Sequence, residues 1–321
     1  MLAPSSPDVG AMRRRRPLIS PITPVLGAEV AHIDLAARLD EACAADLRTG
    51  LNRYGLLVFR NQSAITRADQ VAFAQLFGPL ERSPLGEDAD PDVVRIIHDA
   101  TRPPTENIWH VDHSFREVPP RGAVLRAIEV PQAGGDTLFA DMRAVFRRLP
   151  TEVRALLRDL QAIHDIAKWA PAERVDELHA AAPLVTHPAL CRHPETGEET
   201  LFVNAAYTTG FVGIERSESV ALLDFLLRHV NVPEVQCRLR WQAGTVAVWD
   251  NRALQHYAVG DYFPARRIME RASIAGSGRP IALAVPSEVC GRTRPASSRP
   301  PAGTAPDRNA GLRRAGRRAA H

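Results

Sequence analysis

Apolar residues recur at helical spacing over Leu39–Tyr54, at Leu39, Ala42, Leu47 and Leu51, with Asp40 and Glu41 near the start. A second helix is predicted from Thr66, whose hydroxyl can cap it, through Phe77, and a third over Ser217–His229. Helical spacing also runs over Ala144–Leu160 and breaks at Pro150. Between these lie short apolar runs that read as strands: Gly27–Leu35, Gly55–Arg60, Ala123–Glu129, Leu201–Asn204, Val235–Trp241, Gly244–Trp249 and Arg271–Ala275. Asp165–Pro183 is irregular and suits a flexible lid. Short strands dominate the second half, which points to a β-rich α+β sandwich or jelly roll with flanking helices.

No repeat or linker interrupts this pattern, so one domain is predicted over 18–285. Residues 1–17 and 286–321 are rich in Arg, Pro, Ala, Gly and Ser. They carry too little apolar surface to offset the entropy of ordering, and disordered basic tails are expected there. The net charge of +3 hides an uneven distribution, with +3 on residues 1–17, +7 on 291–321 and −7 on the body between. A nucleic-acid enzyme would carry its positive charge on the folded body, so nucleic acid is not an expected partner. No apolar stretch is long enough to span a membrane, and prolines at 17, 21 and 24 interrupt any signal-peptide core. Four widely spaced cysteines, with no CxxC pair, fit a reducing cytoplasm.

Most of the eleven histidines (His164, His179, His187, His193 and His229 among them) lack a partner at ligand spacing and are expected to pack at surfaces or helix ends. The segment Trp109-His-Val-Asp-His113 differs. If it is extended, His110 and Asp112 point to one face and can fill two sites of one metal. A second histidine from elsewhere would complete two His and one carboxylate, which leaves open positions for chemistry. His256 follows the apolar run 244–249 and is expected on a loop that the sheet aims inward. Arg267 and Arg271 share one face if their segment is extended, and arginines beside a metal suit carboxylates and other anions. Thr137 follows the tight Gly134-Gly135 turn.

The segments Trp109–Phe115, Gly134–Phe139, Leu201–Thr209, Trp249–Tyr257 and Arg266–Arg271 resemble, in order and spacing, the Fe(II)- and 2-oxoglutarate-dependent taurine dioxygenase family. The resemblance covers nearly all of residues 20–276. It implies a double-stranded β-helix (jelly roll) core, Fe(II) as cofactor, and 2-oxoglutarate and O2 as cosubstrates. It also implies that His110, Asp112 and His256 bind the iron and that Thr137 and Arg267 bind the distal carboxylate of 2-oxoglutarate. Arg271 then faces the anionic head of the substrate, and Tyr207 stands where the family has a substrate-side aromatic. The implied reaction couples decarboxylation of 2-oxoglutarate to succinate and CO2 with hydroxylation of a small anionic molecule. Asp112 occupies the position that related halogenases leave to chloride. Family members often form dimers or tetramers, so a homo-oligomer is compatible with the resemblance.

The departures fall on the substrate side. The loop Gly78–Glu87 lacks the His and Tyr with which taurine dioxygenase grips taurine, and Ser83 and Gly86 stand at those places. His113 replaces an apolar residue and can hydrogen-bond the head group or simply pack. Glu106 aligns with a family Asn, with Asn107 one place away. Arg82 can add positive charge or remain a solvated surface residue. The anion is therefore a sulfonate, sulfate ester or carboxylate, taurine itself being disfavoured; a larger carboxylated biosynthetic intermediate is the alternative. A zinc hydrolase or a non-catalytic binding protein could use the same His/Asp/His set.

Overall fold

The apolar runs Leu56–Phe59 and Val246–Asp250 pair antiparallel at the centre of a seven-stranded sheet. The protein is described by a computed structural model over residues 16–82 and 91–283. Both runs are buried at every step, and apolar up to Asp250, because both faces are covered. Leu57, Phe59, Val246 and Val248 pack on the helices Glu41–Tyr54 and Arg67–Gln75, through Leu47, Leu51, Phe73 and Phe77. Phe59, Phe73 and Phe77 meet edge to face at 5.1 and 5.4 Å. Leu56, Val58, Ala247 and Trp249 point the other way. They form an inner core with Phe139, Leu239 and Leu254 from a three-stranded sheet made of Thr137–Asp141, Gln236–Leu239 and Leu254–Ala258.

The helices Met142–Arg148, Thr151–Leu157 and Arg216–Val230 contribute to a third core, which reaches the far side of the small sheet through Ala140. The chain is thus β-rich with helices outside, as its sequence predicts. The strands lie in four sheets rather than one closed barrel.

Local signals account for the helix starts. Asp40 accepts from the Cys43 amide, and Thr66 and Asp69 form a reciprocal capping box. Pro150 does break the helical run, into Met142–Arg148 and Thr151–Leu157. Other expectations need correction. Arg271–Ala275 is the end of a longer strand, Arg267–Ile274, whose first half pairs with an unpredicted strand, Val94–His98. The strand expected over Leu201–Asn204 is Glu199–Leu201. Within 165–183 a short 3-10 turn leads into the helix Val175–Ala181, and Lys168 Nζ is tied to the Ala205 and Thr208 carbonyls at 2.7 and 2.6 Å.

Glu270, 1% exposed, faces outward from that long strand and ion-pairs Arg67, Arg95 and Arg126 at 2.9–3.1 Å. This cluster locks the sheet to its helix layer, so the inner face of the same strand is rigidly placed. Among the described residues no helix is long and apolar enough to cross a membrane. Most of both predicted tails, 1–15 and 284–321, lies outside the described residues, as do Ser83, Gly86 and Cys290.

Candidate metal centre

His256 sits within the strand Leu254–Ala258 and not on a loop. The turn before it is fixed from below. Asp250 accepts from Arg252 Nη2 at 2.5 Å and from His193 Nε2 at 3.1 Å, so His193 is buried rather than on a surface. Burial alone would raise the Asp250 pKa, but these hydrogen bonds hold it far below the ordinary carboxylate range. Phe139 lies opposite His256 on the neighbouring strand, ring stacked on ring at 5.9 Å, with Trp249 at 5.0 Å on another side. Trp249 thereby packs against the site while filling the inner core.

His110 joins His256 by an isolated antiparallel bridge, with backbone N–O distances of 3.0 and 2.9 Å. After it the chain does not remain extended. It turns over Asp112–Phe115, with His113 at φ 45° in the left-handed region. The two ligand candidates of the HxD segment converge because one is bridged and the next is turned inward. Asp112 Oδ1 is 3.8 Å from His110 Nε2 and 3.5 Å from His256 Nε2. The three donor atoms lie within 4.8 Å of one another, and all three residues are buried.

The protonation pattern suits a cation. His110 Nδ1–H donates to the Ile108 carbonyl at 2.7 Å, which leaves the Nε2 lone pair for a metal. Burial, and then the neighbouring His256, bring the His110 pKa down to about 4, so the ring is neutral at pH 7. Burial opposes the charge of Asp112, but Arg271, followed by His256, keeps its pKa well below the usual range. Two imidazoles and one carboxylate are the donor set that a divalent ion in a mixed N/O site requires.

Two arginines on the inner face of one strand, at 267 and 271, carry buried donors without hydrogen-bond partners: Nε of Arg267, and Nε and Nη2 of Arg271. Arg271 Nη2 is 2.9 Å from Asp112 Oδ2, an ion pair outside hydrogen-bond alignment, and its guanidinium lies over Trp249 at 5.8 Å. Arg267 lies over the Tyr262 ring, and the Tyr262 hydroxyl is 2.5 Å from His98 Nδ1. Thr137 Oγ accepts from Trp241 Nε1 at 2.9 Å, which leaves its hydroxyl hydrogen for another acceptor. Thr137, Arg267, Arg271, His110 and His256 line one cavity with Glu106 and His98. A buried guanidinium with unmet donors is costly unless an anion completes it. Each of these two arginines has the geometry of an anion site.

Tyr207 packs edge-on against Phe115 at 5.0 Å, two residues beyond His113. Burial first, and then Asp112, push its phenol pKa up to about 12, so it is a neutral donor. His113 is partly buried, its Nδ1 has no partner, and burial followed by Arg271 lowers its pKa. Arg82 side-chain exposure is 79% and it pairs with Asp92 at 3.5 Å, which places it on the solvated surface.

His164 and His187 are not surface histidines. They are fully buried, with rings 5.1 Å apart, behind the turn that carries Asp112. Asn204 Nδ2 donates to Ser114 Oγ at 2.8 Å, and His164 Nδ1 is 3.0 Å from the same hydroxyl. His187 Nε2–H donates to the Ser114 and Arg116 carbonyls, both at 3.0 Å. No spacing signal marks this support, because its members lie far apart along the chain.

Burial, and then His187, hold the His164 pKa at about 3. The unfolded chain, with an ordinary value near 6.5, therefore takes up this proton first as pH falls, and stability drains from about pH 6.5 downward. Between pH 7.5 and 5 this group alone should cost about 2 kcal/mol. Urea unfolding at both pH values is expected to show His164→Gln losing about that much less than the unsubstituted chain. Equal losses would contradict the buried neutral assignment.

Known proteins resemble this chain over most of its length. Residues 18–273 match the family described as taurine catabolism dioxygenase TauD, TfdA. The chain is 33% identical over 269 residues to the alpha-ketoglutarate-dependent sulfate ester dioxygenase of Pseudomonas putida, covering 80% of this chain and 89% of that one. It is 34% identical over 281 residues to the (S)-phenoxypropionate/alpha-ketoglutarate-dioxygenase of Sphingobium herbicidovorans, covering 80% and 94%. The crystal structure of AAD-2 in complex with Mn(II) and N-oxalylglycine matches with a TM-score of 0.74 at 27% identity, over 83% of this chain and 100% of that one.

Proposed function

The chain belongs to the TauD, TfdA family, and from that premise we propose that His110, Asp112 and His256 bind Fe(II), with Thr137 and Arg267 holding the distal carboxylate of 2-oxoglutarate. The protein is an Fe(II)- and 2-oxoglutarate-dependent dioxygenase for a small anionic organic substrate. The observation that carries the site assignment is the pair of arginines whose buried donors are unmet, on one strand beside a His/Asp/His cluster. Four residues of strand separate them by roughly 13 Å, enough to serve two different anions. The jelly-roll core belongs to this reading. It is supported by the facing seven- and three-stranded sheets and by the structural likeness to the AAD-2 complex. Residues 18–285 are read as one catalytic domain and the remainder as basic tails. A cytoplasmic location fits Cys43, Cys191 and Cys237, all free.

Bound in this centre, Fe(II) with 2-oxoglutarate and O2 supplies the oxidant that couples formation of succinate and CO2 to oxidation of a substrate C–H bond. The chain's own residues do the rest. The Ile108 carbonyl fixes the His110 tautomer, and the bridge and turn set the spacing of the three donors. Arg267 and Thr137 orient the cosubstrate. Arg271, with His113 and Tyr207 nearby, fixes the substrate head so that one C–H bond faces the metal. Phe139 and Trp249 keep water from the His256 side.

The head group is read directly by succinate release from 2-oxoglutarate with Fe(II), ascorbate and air, with hexyl sulfate, hexanesulfonate, taurine and phenoxypropionate as substrates. Alkyl sulfate or aryloxy carboxylate should stimulate release most. Preference for taurine would overturn the reading of the altered loop, and release stimulated by none would point to a larger carboxylated metabolite.

A further inference from the structure

Inward-facing side chains on the strand Arg267–Ile274 follow the order Arg267, Met269, Arg271, Ser273, since Met269 enters the inner core while Ala272 and Ile274 pack on the helix side. One step past Arg271 the chain after the second helix joins this strand. Leu80 bridges Ile274, and the Glu81 amide donates to the Ser273 carbonyl at 2.9 Å. Glu81 reaches from there to ion-pair Arg116, and one of its own oxygens, Oε2, is buried without a partner. Arg116 closes the turn that begins at His113, its amide donating to the His113 carbonyl at 2.9 Å. Its guanidinium lies 5.9 Å over the Phe115 ring, the ring that packs on Tyr207. A second guanidinium thus lies one ring away from Tyr207 and near enough to feel the charge of Arg271, and 39% of its side chain is accessible.

We propose that Arg116, steadied by Glu81, is a second head-group arginine, and that the substrate anion binds between Arg116 and Arg271. The inference rests on the anionic-substrate reading above. Two cations this near repel unless negative charge lies between them, and among the described residues Arg116 ion-pairs Glu81 while Arg271 ion-pairs Asp112. Burial, and then Arg271 itself, already disfavour the charge of Arg116, as expected of a cation awaiting its anion. The tetrahedral or planar oxygens of a sulfate ester, sulfonate or carboxylate can accept from both forks at once. In this chain that clamp takes the place of the His and Tyr missing from residues 78–87. A compact head with two or three equivalent oxygens would be selected over a neutral or cationic one.

The test uses the full chain loaded with Fe(II) and 2-oxoglutarate without oxygen. Binding of hexyl sulfate, hexanesulfonate and hexanoate is followed by calorimetry, and binding of 2-oxoglutarate is followed separately. Arg116→Gln should weaken the best of the three about 10-fold and leave 2-oxoglutarate binding unchanged. Arg116→Lys should recover part of the loss, and Arg271→Gln should weaken binding at least as much as Arg116→Gln. Unchanged binding in Arg116→Gln, with loss in Arg271→Gln, overturns the role of Arg116 alone. No binding to the unsubstituted chain, or no loss in either variant, overturns this proposal and the anionic-substrate reading together.

Discussion

His256→Ala should lower substrate-driven succinate formation by about 1,000-fold, equal to about 4 kcal/mol of barrier, while the protein stays folded. The ring is one of three donors within 4.8 Å, and no other described His, Cys, Asp or Glu joins that group. Two ligands would remain, and Asp112 and His110 would lose the partner that completes a facial set. Packing loss should be modest. The ring contributes stacking on Phe139 and Trp249, but the backbone bridge to His110 is made by main-chain atoms and survives the substitution. Metal titration followed by dialysis checks the cause: the variant should retain little Fe(II), and activity should fall in proportion. Activity near that of the unsubstituted chain, with metal retained, would remove His256 from the centre.

The second large effect separates the two arginines. Arg267→Gln should raise KM for 2-oxoglutarate about 100-fold, the value of roughly 3 kcal/mol for a buried charge-assisted pair, with little change in KM for the organic substrate. Arg271→Gln should do the reverse. It should also show a pH signature, because Arg271 is the largest influence holding the Asp112 pKa down, while burial pushes it up. Without Arg271 the folded-state pKa of Asp112 rises, so its carboxylate is protonated at a higher pH than before. Metal binding by the variant should therefore fail earlier as pH is lowered, whereas the unsubstituted chain keeps its metal further into the acid range. Steady-state kinetics in both substrates, with metal retention measured from pH 8 to 5, distinguishes these outcomes. An equal rise of both KM values in both variants would mean that the arginines act through the fold.

Much of this site was legible in the sequence because its parts are local. His110 and Asp112 are two residues apart, Arg267 and Arg271 are four apart, and Thr137 follows a glycine pair. The two-faced apolar runs at Leu56–Phe59 and Val246–Asp250 announced the centre of the sheet. What was not legible depends on contacts between distant segments. His256 was expected on a loop, since Leu254–Ala258 mixes polar and apolar residues. It is a strand because it pairs with Thr137–Asp141 on one side and His110 on the other. The extended HxD picture gave the right neighbours for the wrong local reason, because a turn held by Ser114, His164, His187 and Asn204 aims Asp112. His193 reads as a solvent-side histidine in a Pro/Glu/Thr/Gly stretch, yet it is buried against Asp250. The strand Val94–His98 lacks a clean alternation because the face that lines the cavity carries both Ile96 and His98.

The central claim is that His110, Asp112 and His256 hold an iron whose turnover of 2-oxoglutarate is driven by an anionic substrate. Its most direct test is the ratio of succinate formed with and without hexyl sulfate, under air and under nitrogen, in the iron-loaded chain. Succinate should rise many-fold only when iron, oxygen and the sulfate ester are all present, one succinate appearing for each substrate molecule oxidised. Succinate formed equally under nitrogen, or in chain stripped of iron, would contradict the account, and hexanol released under nitrogen with no succinate would favour hydrolysis by the same three residues.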